Sequence, residues 1–285
     1  KILSYLLENK EVNGKKAIDY FIDDKKIIDP MVLADMKLAA SVPTDVVLFN
    51  IDSKSEMAGK QTKDAIVSVF LKVFNEMQGF CGSIPALADL ERQLTEQGRY
   101  NEFKEKFEDE FGKPWIDSRN KFDFIQDTIV DVLEDMGFMS ESAARNWCEK
   151  AIEPYQISIE NFAKMVKEYL DHKGRNHHLV FLVDEIGQYI GDDSKLMLNL
   201  QTVTEDLGTA CRGKVWIIVT SQQDIDSITK TKGNDFSKFQ GRFDTRLSLS
   251  SANVDEVIKK RILDKSTTAE QTLRLLYEQK STIIK

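Results

Sequence analysis

The chain has 285 residues, 41% hydrophobic and 30% charged, with 14 Gly and 5 Pro. This balance excludes a collagen-like, low-complexity or wholly disordered polypeptide and leaves room for one large or two ordinary domains. The 39 Lys and Arg against 47 Asp and Glu give a net charge of −8, so the chain is not basic throughout, although a local basic face is allowed. The longest apolar runs, Val46–Phe49 and Val215–Val219, fall far short of the ~20 residues that cross a bilayer, and no signal-peptide core opens the sequence. Cys81, Cys148 and Cys211 are far apart and form no CxxC pair, so neither disulfides nor a structural zinc is expected. The expectation is a cytoplasmic protein with no membrane partner.

Lys1 stands inside an amphipathic pattern (Ile2, Leu3, Leu6, Leu7) that Asn13-Gly14 is expected to stop, so the sequence reads as opening in mid-helix. Short helical patterns follow at Ala17–Ile22 and Pro30–Ala39. Pro43-Thr44 then introduces the run Asp45-Val-Val-Leu-Phe-Asn-Ile-Asp52, where consecutive apolar residues between turn signals predict a buried strand. From Thr62 to Met77 apolar residues recur at i, i+3, i+4 and i+7, the spacing of a helix that packs on something. Between about Gly79 and Gly174 the texture changes to charged helical segments: Ile84–Gln97, Tyr100–Phe111, Lys121–Met136, Ser140–Ile152 and Ser158–His172. Two further strand-like runs, Leu179–Asp184 and Val215–Thr220, flank a helical pattern over Lys195–Leu207. Apolar strands alternating with helices predict an α/β fold with a parallel sheet covered on both faces. Thr245–Ser250 alternates as an edge strand does, and Val254–Lys285 is helical. The expected division is an α/β core in two parts, 1–78 and 175–250, an all-helical insertion at 79–174, and a terminal helical segment at 251–285.

The segment His178-Leu-Val-Phe-Leu-Val-Asp184-Glu185 is an apolar strand that delivers two carboxylates at its C-terminal end, where ligands sit in open α/β sheets. A Walker B strand has this form. Mg²⁺ on nucleotide phosphates needs a hard oxygen ligand, here Asp184, and the next carboxylate, Glu185, can take a proton from the attacking water. Alone, the segment also reads as a buried strand ending in solvated acids. Trp216-Ile-Ile-Val-Thr-Ser221-Gln222-Gln223 ends in small and amide side chains. Gln222 is the candidate to orient water or sense the γ-phosphate, and Ser221 joins Asp184 on the nucleotide side. An ordinary polar loop is the alternative. In Gly241-Arg242-Phe243-Asp244-Thr245-Arg246, either arginine can reach a neighbouring subunit's phosphates; a structural ion pair is the alternative there. His172, His177 and His178 read as surface residues rather than ligands, and the basic stretches Lys259–Arg261 and Lys230–Lys238 as solvated faces.

Taken in order, Asp184-Glu185, the polar end of the Val215 strand, and Gly-Arg-Phe-Asp followed by Arg246 resemble the Walker B, sensor 1 and arginine-finger stations of an AAA+ ATPase. More narrowly, Leu179–Lys265, with Val-Asp-Glu-Ile-Gly-Gln-Tyr-Ile and Gly-Arg-Phe-Asp-Thr-Arg-Leu-Ser-Leu-Ser-Ser-Ala-Asn, is similar to the large P-loop ATPases (the BrxC family) of bacteriophage-exclusion (BREX) systems. The resemblance implies a P-loop NTPase sheet flanked by helices, with ATP and Mg²⁺ as cofactors. It also implies a self-oligomer in which Arg242 or Arg246 acts in trans, partner proteins of a bacterial phage-defence system that acts on DNA, and 251–285 as the start of a helical lid. No Gly-x-x-x-x-Gly-Lys-Ser/Thr occurs, and Asn13-Gly14-Lys15-Lys16 lacks the first Gly, the hydroxyl and a preceding strand. The expectation is therefore a fragment cut just after the P-loop, without the first strand and inactive alone. In the AAA+ strand order 5-1-4-3-2, the strands near Val46, Val180 and Val215 then pair as a block. Two other readings stay open: a non-catalytic scaffold that binds a protein through the helical insertion, and a STAND-type signalling switch.

Overall fold

The computed structural model describes residues 1–24, 27–55, 65–191, 193–221, 243, 245, 247, 255, 258, 263 and 265–284. Most of the expected strand 245–250 lies outside them, as do Gln222, Arg242 and Arg246. Lys1–Arg242 form one compact unit and Phe243–Lys285 a second.

The first unit opens with α1 (Ile2–Leu7). The helix ends at Leu7, so Asn13-Gly14 is not its stop. It is the turn of a small antiparallel hairpin between β1 (Glu11–Val12) and β2 (Lys15–Lys16). Both turn residues have positive φ, 50° and 77°, the conformation that a two-residue hairpin turn demands and that Asn and Gly accept. A short helix α2 (Ala17–Asp19) runs into a π-helical turn (Tyr20–Asp24). Helix α3 (Pro30–Ser41) follows; its first turn is capped by Asp29, whose carboxylate accepts from the N–H groups of Met31 and Val32 at 2.9 and 3.2 Å. Strand β3 (Thr44–Asn50) stops two residues earlier than the apolar run suggests, because Ile51 and Asp52 open α4 (Ile51–Ser55). Helix α5 (Ala65–Met77) comes next.

Then come α6 (Pro85–Glu96), α7 (Tyr100–Phe111), α8 (Trp115–Ser118), a 3-10 turn (Arg119–Phe124), α9 (Gln126–Asp135), α10 (Glu141–Ala151) and α11 (Ile159–Lys173). The helix expected over Lys121–Met136 begins only at Gln126, because the residues before it form the 3-10 turn and Ile125, with φ −121° and ψ 3°, leaves helical geometry. Strand β4 (His178–Asp184), the short helix α12 (Ile186–Ile190), α13 (Ser194–Ala210) and β5 (Val215–Val219) complete the described part of the first unit. In the second unit α14 (Thr267–Ile284) is a single long helix. No helix among the described residues is long and apolar enough to cross a membrane.

Strands β3, β4 and β5 form a parallel sheet in that order, with Asn50 opposite Asp184 and Val183 opposite Val219. The fold is α/β, a three-stranded parallel sheet flanked by helices. One face is sealed by aromatic packing: Phe70 of α5 meets Phe49 and Phe181 at centroid distances of 5.6 and 5.0 Å, and Phe162 of α11 meets Phe181 at 6.5 Å. Helix α13 packs against α5 and α11. The opposite face is covered unevenly: Val180 and Leu182 on the central strand are 4% and 7% exposed, whereas Leu48, Trp216 and Ile218 on the strands to either side are 40%, 57% and 36% exposed.

The helices between 81 and 151 build their own core, with Leu90, Phe103, Phe107, Trp115 and Ile129 fully or almost fully buried. Helix α11 ends the same stretch of sequence but spends its apolar side on the sheet. At the centre of the helical core lies a carboxylate, Glu91, that is completely buried. Its Oε1 accepts from Tyr100 Oη, Trp115 Nε1 and Arg119 Nη1 at 2.8, 2.7 and 2.7 Å, and its Oε2 from the Cys81 N–H at 2.5 Å. One charge thus ties together four chain segments, and Arg119 neutralises it. Burial pushes the Cys148 and Cys211 thiols up to about 11, which keeps both uncharged and unreactive near neutral pH.

A second polar clip joins the entrance of the sheet to α11. Asp45 accepts from the Tyr169 hydroxyl, lies 2.6 Å from His177 Nε2, and has Lys173 Nζ at 3.5 Å. Burial alone would raise the Asp45 carboxyl, but the bonds from Tyr169 and His177 outweigh it and hold the group below the ordinary carboxylate value. Such a group stabilises the fold above the ordinary carboxylate pKa, and that contribution is lost as pH falls through the lowered one. Asp45→Asn is therefore expected to flatten the acid limb of a Tm-versus-pH profile. Glu91→Ala, which strands Arg119 and three other donors, is expected to lower the unfolding free energy by about 3–5 kcal/mol in urea denaturation.

Candidate functional site

Parallel register brings the ends of three apolar strands to one edge. Residues Leu179 to Val183 are all buried, so β4 cannot present a polar side chain until Asp184, which is exposed. Glu185 follows with φ 60° and ψ 30°, in the left-handed region, and α12 begins after it. A non-glycine residue there costs about 1–2 kcal/mol. The backbone is fixed by its neighbours: Glu185 N–H donates to Thr220 Oγ1 at 3.3 Å and Ile186 N–H to the Thr220 carbonyl at 3.0 Å. The Glu185 carbonyl accepts from Gln188 and Tyr189 at 3.2 and 3.3 Å.

The reversal at Glu185 sends the two adjacent carboxylates to opposite neighbours. Thr220, just past β5, donates its hydroxyl to Asp184 Oδ1. Asn50, the last residue of β3, donates from Nδ2 to Glu185 Oε2 at 2.6 Å. Asn50 is itself fixed by α4, since its Oδ1 accepts from the Ser53 N–H at 3.1 Å and its carbonyl accepts from the Ser53 hydroxyl at 3.0 Å. The result is a hydrogen-bonded row, Asn50, Glu185, Asp184 and Thr220, across the C-terminal edge.

Of the residues singled out in the sequence, Asp184, Glu185 and Ser221 come together here, Ser221 directly after Thr220. Gln222, Arg242 and Arg246 lie outside the described residues. Asn50 and Thr220 were not singled out. Each is the first polar residue after an apolar strand run, and that position is the signal that identifies them. His177 sits at the other end of β4, a strand length of about 20 Å from Asp184, engaged with Asp45.

The exposed Asp184 carboxylate and the Thr220 hydroxyl are hard oxygen donors of the kind Mg²⁺ accepts. Among the described residues no three His, Cys, Asp or Glu side chains gather as a metal cage. Among the described residues the edge offers one exposed carboxylate and one hydroxyl, donors that would hold a magnesium ion only together with ligand oxygens. The chain matches no known protein-family model and no solved structure.

The strained backbone at Glu185 reverses the usual ranking of small substitutions. Glu185→Gly and Glu185→Ala both delete the carboxylate, but the glycine variant is expected to be more stable by about 1 kcal/mol, as read by urea denaturation.

Proposed function

We propose that the chain carries the catalytic edge of an AAA+-type P-loop ATPase that hydrolyses Mg-ATP. The observation that carries this reading is the row Asn50, Glu185, Asp184 and Thr220 across three parallel strand ends. The strand order supports the fold assignment, since β3, β4 and β5 have the adjacency that the 5-1-4-3-2 arrangement requires of its second, third and fourth strands.

In this reading Asp184 is the magnesium-side ligand, with Ser221 on the nucleotide side. ATP supplies the scissile phosphoanhydride bond, and Mg²⁺ neutralises charge on its phosphate oxygens. Glu185 accepts the proton of the attacking water, and Asn50 positions that carboxylate through Oε2. Gln222 orients the water or senses the γ-phosphate, and Arg242 or Arg246 acts in trans on a neighbouring copy. The phosphate cradle, which no stretch of residues 1–285 encodes, is supplied from outside them, so this chain alone is inactive. By the resemblance to the BREX ATPases, turnover drives rearrangement of a self-oligomer within a cytoplasmic anti-phage complex that acts on DNA.

The missing cradle supports a second reading, a non-catalytic scaffold that binds a protein through the helical unit with its own core, and a STAND-type switch would use the same strand-end residues. Steady-state ATPase assays on the chain lengthened upstream by one strand and loop separate the two. Activity is expected only in the lengthened form. Glu185→Gln should retain nucleotide binding and lose about 10²-fold or more in turnover, and Asp184→Ala should lose Mg²⁺-dependent binding. A folded, lengthened chain that neither binds nor hydrolyses ATP establishes the scaffold.

A further inference from the structure

The opposite end of the sheet holds a second polar centre. The last turns of α11, the link into β4 and the turn between α13 and β5 line one pocket of about 360 Å³ that includes Lys167, Asp171, Arg175, Asn176, Arg212 and Lys214. Because Arg175 lies three residues before β4 and Lys214 directly before β5, this pocket lies about 20 Å, the length of β4, from Asp184.

Its charge is not explained by the fold. Cations are expected beside the C-termini of α11 and α13, each of which carries about half a negative charge. Four cationic side chains stand against the one carboxylate of Asp171. After both helix ends and Asp171 are counted, an excess of roughly two positive charges remains. Lys167 is engaged with Asp171 at 3.0 Å. The side chains of Arg175, Arg212 and Lys214 make no hydrogen bond or ion pair with any described residue. The hydrogen bond from Lys167, reinforced by the charges of Lys214 and Arg212, holds the Asp171 carboxyl below its ordinary value, so the one acid in the pocket stays ionised.

The backbone adds an independent sign. Arg212 has φ 52°, left-handed like Gly213 beside it at 77°. Glycine would adopt that conformation without cost, yet the position carries a bulky cation whose side chain is hydrogen-bonded to no described residue. An excess of cations in a concave site on a chain of net charge −8 is the opposite of what the overall composition provides.

We propose that this pocket binds a phosphate dianion, either free phosphate or the phosphomonoester of a small molecule. A dianion matches the excess of roughly two charges, whereas a phosphodiester, with one charge per group, leaves half of it uncompensated. The Arg175 and Arg212 guanidinium groups supply planar paired donors for phosphate oxygens, and Lys214 supplies a point charge.

The test is calorimetric titration of the chain with inorganic phosphate, phenyl phosphate and diphenyl phosphate, in EDTA so that no magnesium-dependent binding at Asp184 contributes. Phosphate and phenyl phosphate are expected to saturate one site in the wild type, and diphenyl phosphate to bind far more weakly. Arg212→Gly removes a cation while relieving the backbone, so it should keep or raise Tm yet weaken phosphate binding about tenfold. Lys214→Ala should do likewise without the gain in Tm, and Lys104→Ala, on α7, should leave binding unchanged. Tighter binding of phenyl phosphate than of phosphate identifies an esterified ligand, and the reverse order identifies free phosphate. The proposal is overturned if the wild type shows no saturable phosphate binding, if diphenyl phosphate binds as well as the monoester, or if Arg212→Gly and Lys214→Ala bind phosphate as the wild type does.

Discussion

The C-terminal edge depends on the burial of β4 between two parallel neighbours. With residues from Leu179 to Val183 all removed from water, a polar group inside the strand would have no solvent and few partners. Polar chemistry is thereby concentrated at the first positions beyond the strands. Asn50, Asp184 and Thr220 each close an apolar run, and each takes part in the same hydrogen-bonded row. The left-handed turn at Glu185 follows from the same constraint, since a carboxylate continuing along the strand could not reach Asn50 on its neighbour.

Stability in the first unit comes from two separate cores. The sheet is sealed on one side by a cluster of Phe49, Phe70, Phe162 and Phe181 in edge-to-face and tilted contacts. The helices between 81 and 151 close around Trp115, Phe103 and Phe107, with Glu91 as a polar hub. A hub of this kind is a matter of specificity as much as of strength, because a buried carboxylate tolerates only an arrangement that satisfies both of its oxygens. The contrast with Asp45 is instructive. Both acids gather several donors, but Asp45 remains partly open to water and joins the sheet to α11 rather than organising a core.

Much of this was legible in the sequence, for identifiable reasons. The runs at Val46, Val180 and Val215 are continuous and apolar, a pattern that a strand buried on both faces produces, and their parallel pairing in that order followed. Helices α6, α7 and α10 lie within one or two residues of the expected bounds, because Pro85, Gly98, Gly112 and Ser140 mark their ends. The hairpin at Asn13-Gly14 was missed because the dipeptide signals both a helix stop and a turn, and its strands are only two residues long. Cover of the second face is uneven, since an apolar run does not say whether a helix lies over each strand: Val180 and Leu182 are buried there, while Trp216 and Ile218 are apolar and still exposed. Asp184 and Glu185 were visible as adjacent acids after a strand. Asn50 was not, because its role arises from a contact with a residue 135 positions away.

That separation sets the order in which the molecule can assemble. When β3 leaves the ribosome its parallel partner has yet to be synthesised, and closing so long a loop is entropically slow. The intervening helices have largely local contacts and a core of their own, so they can collapse early and shorten the effective tether between β3 and β4. Early closure of that core would favour the pairing of β3 with β4. Damage to the core would delay strand pairing and leave the apolar edge of β3 exposed to other chains, lowering the yield of folded protein even with every residue of the C-terminal edge intact.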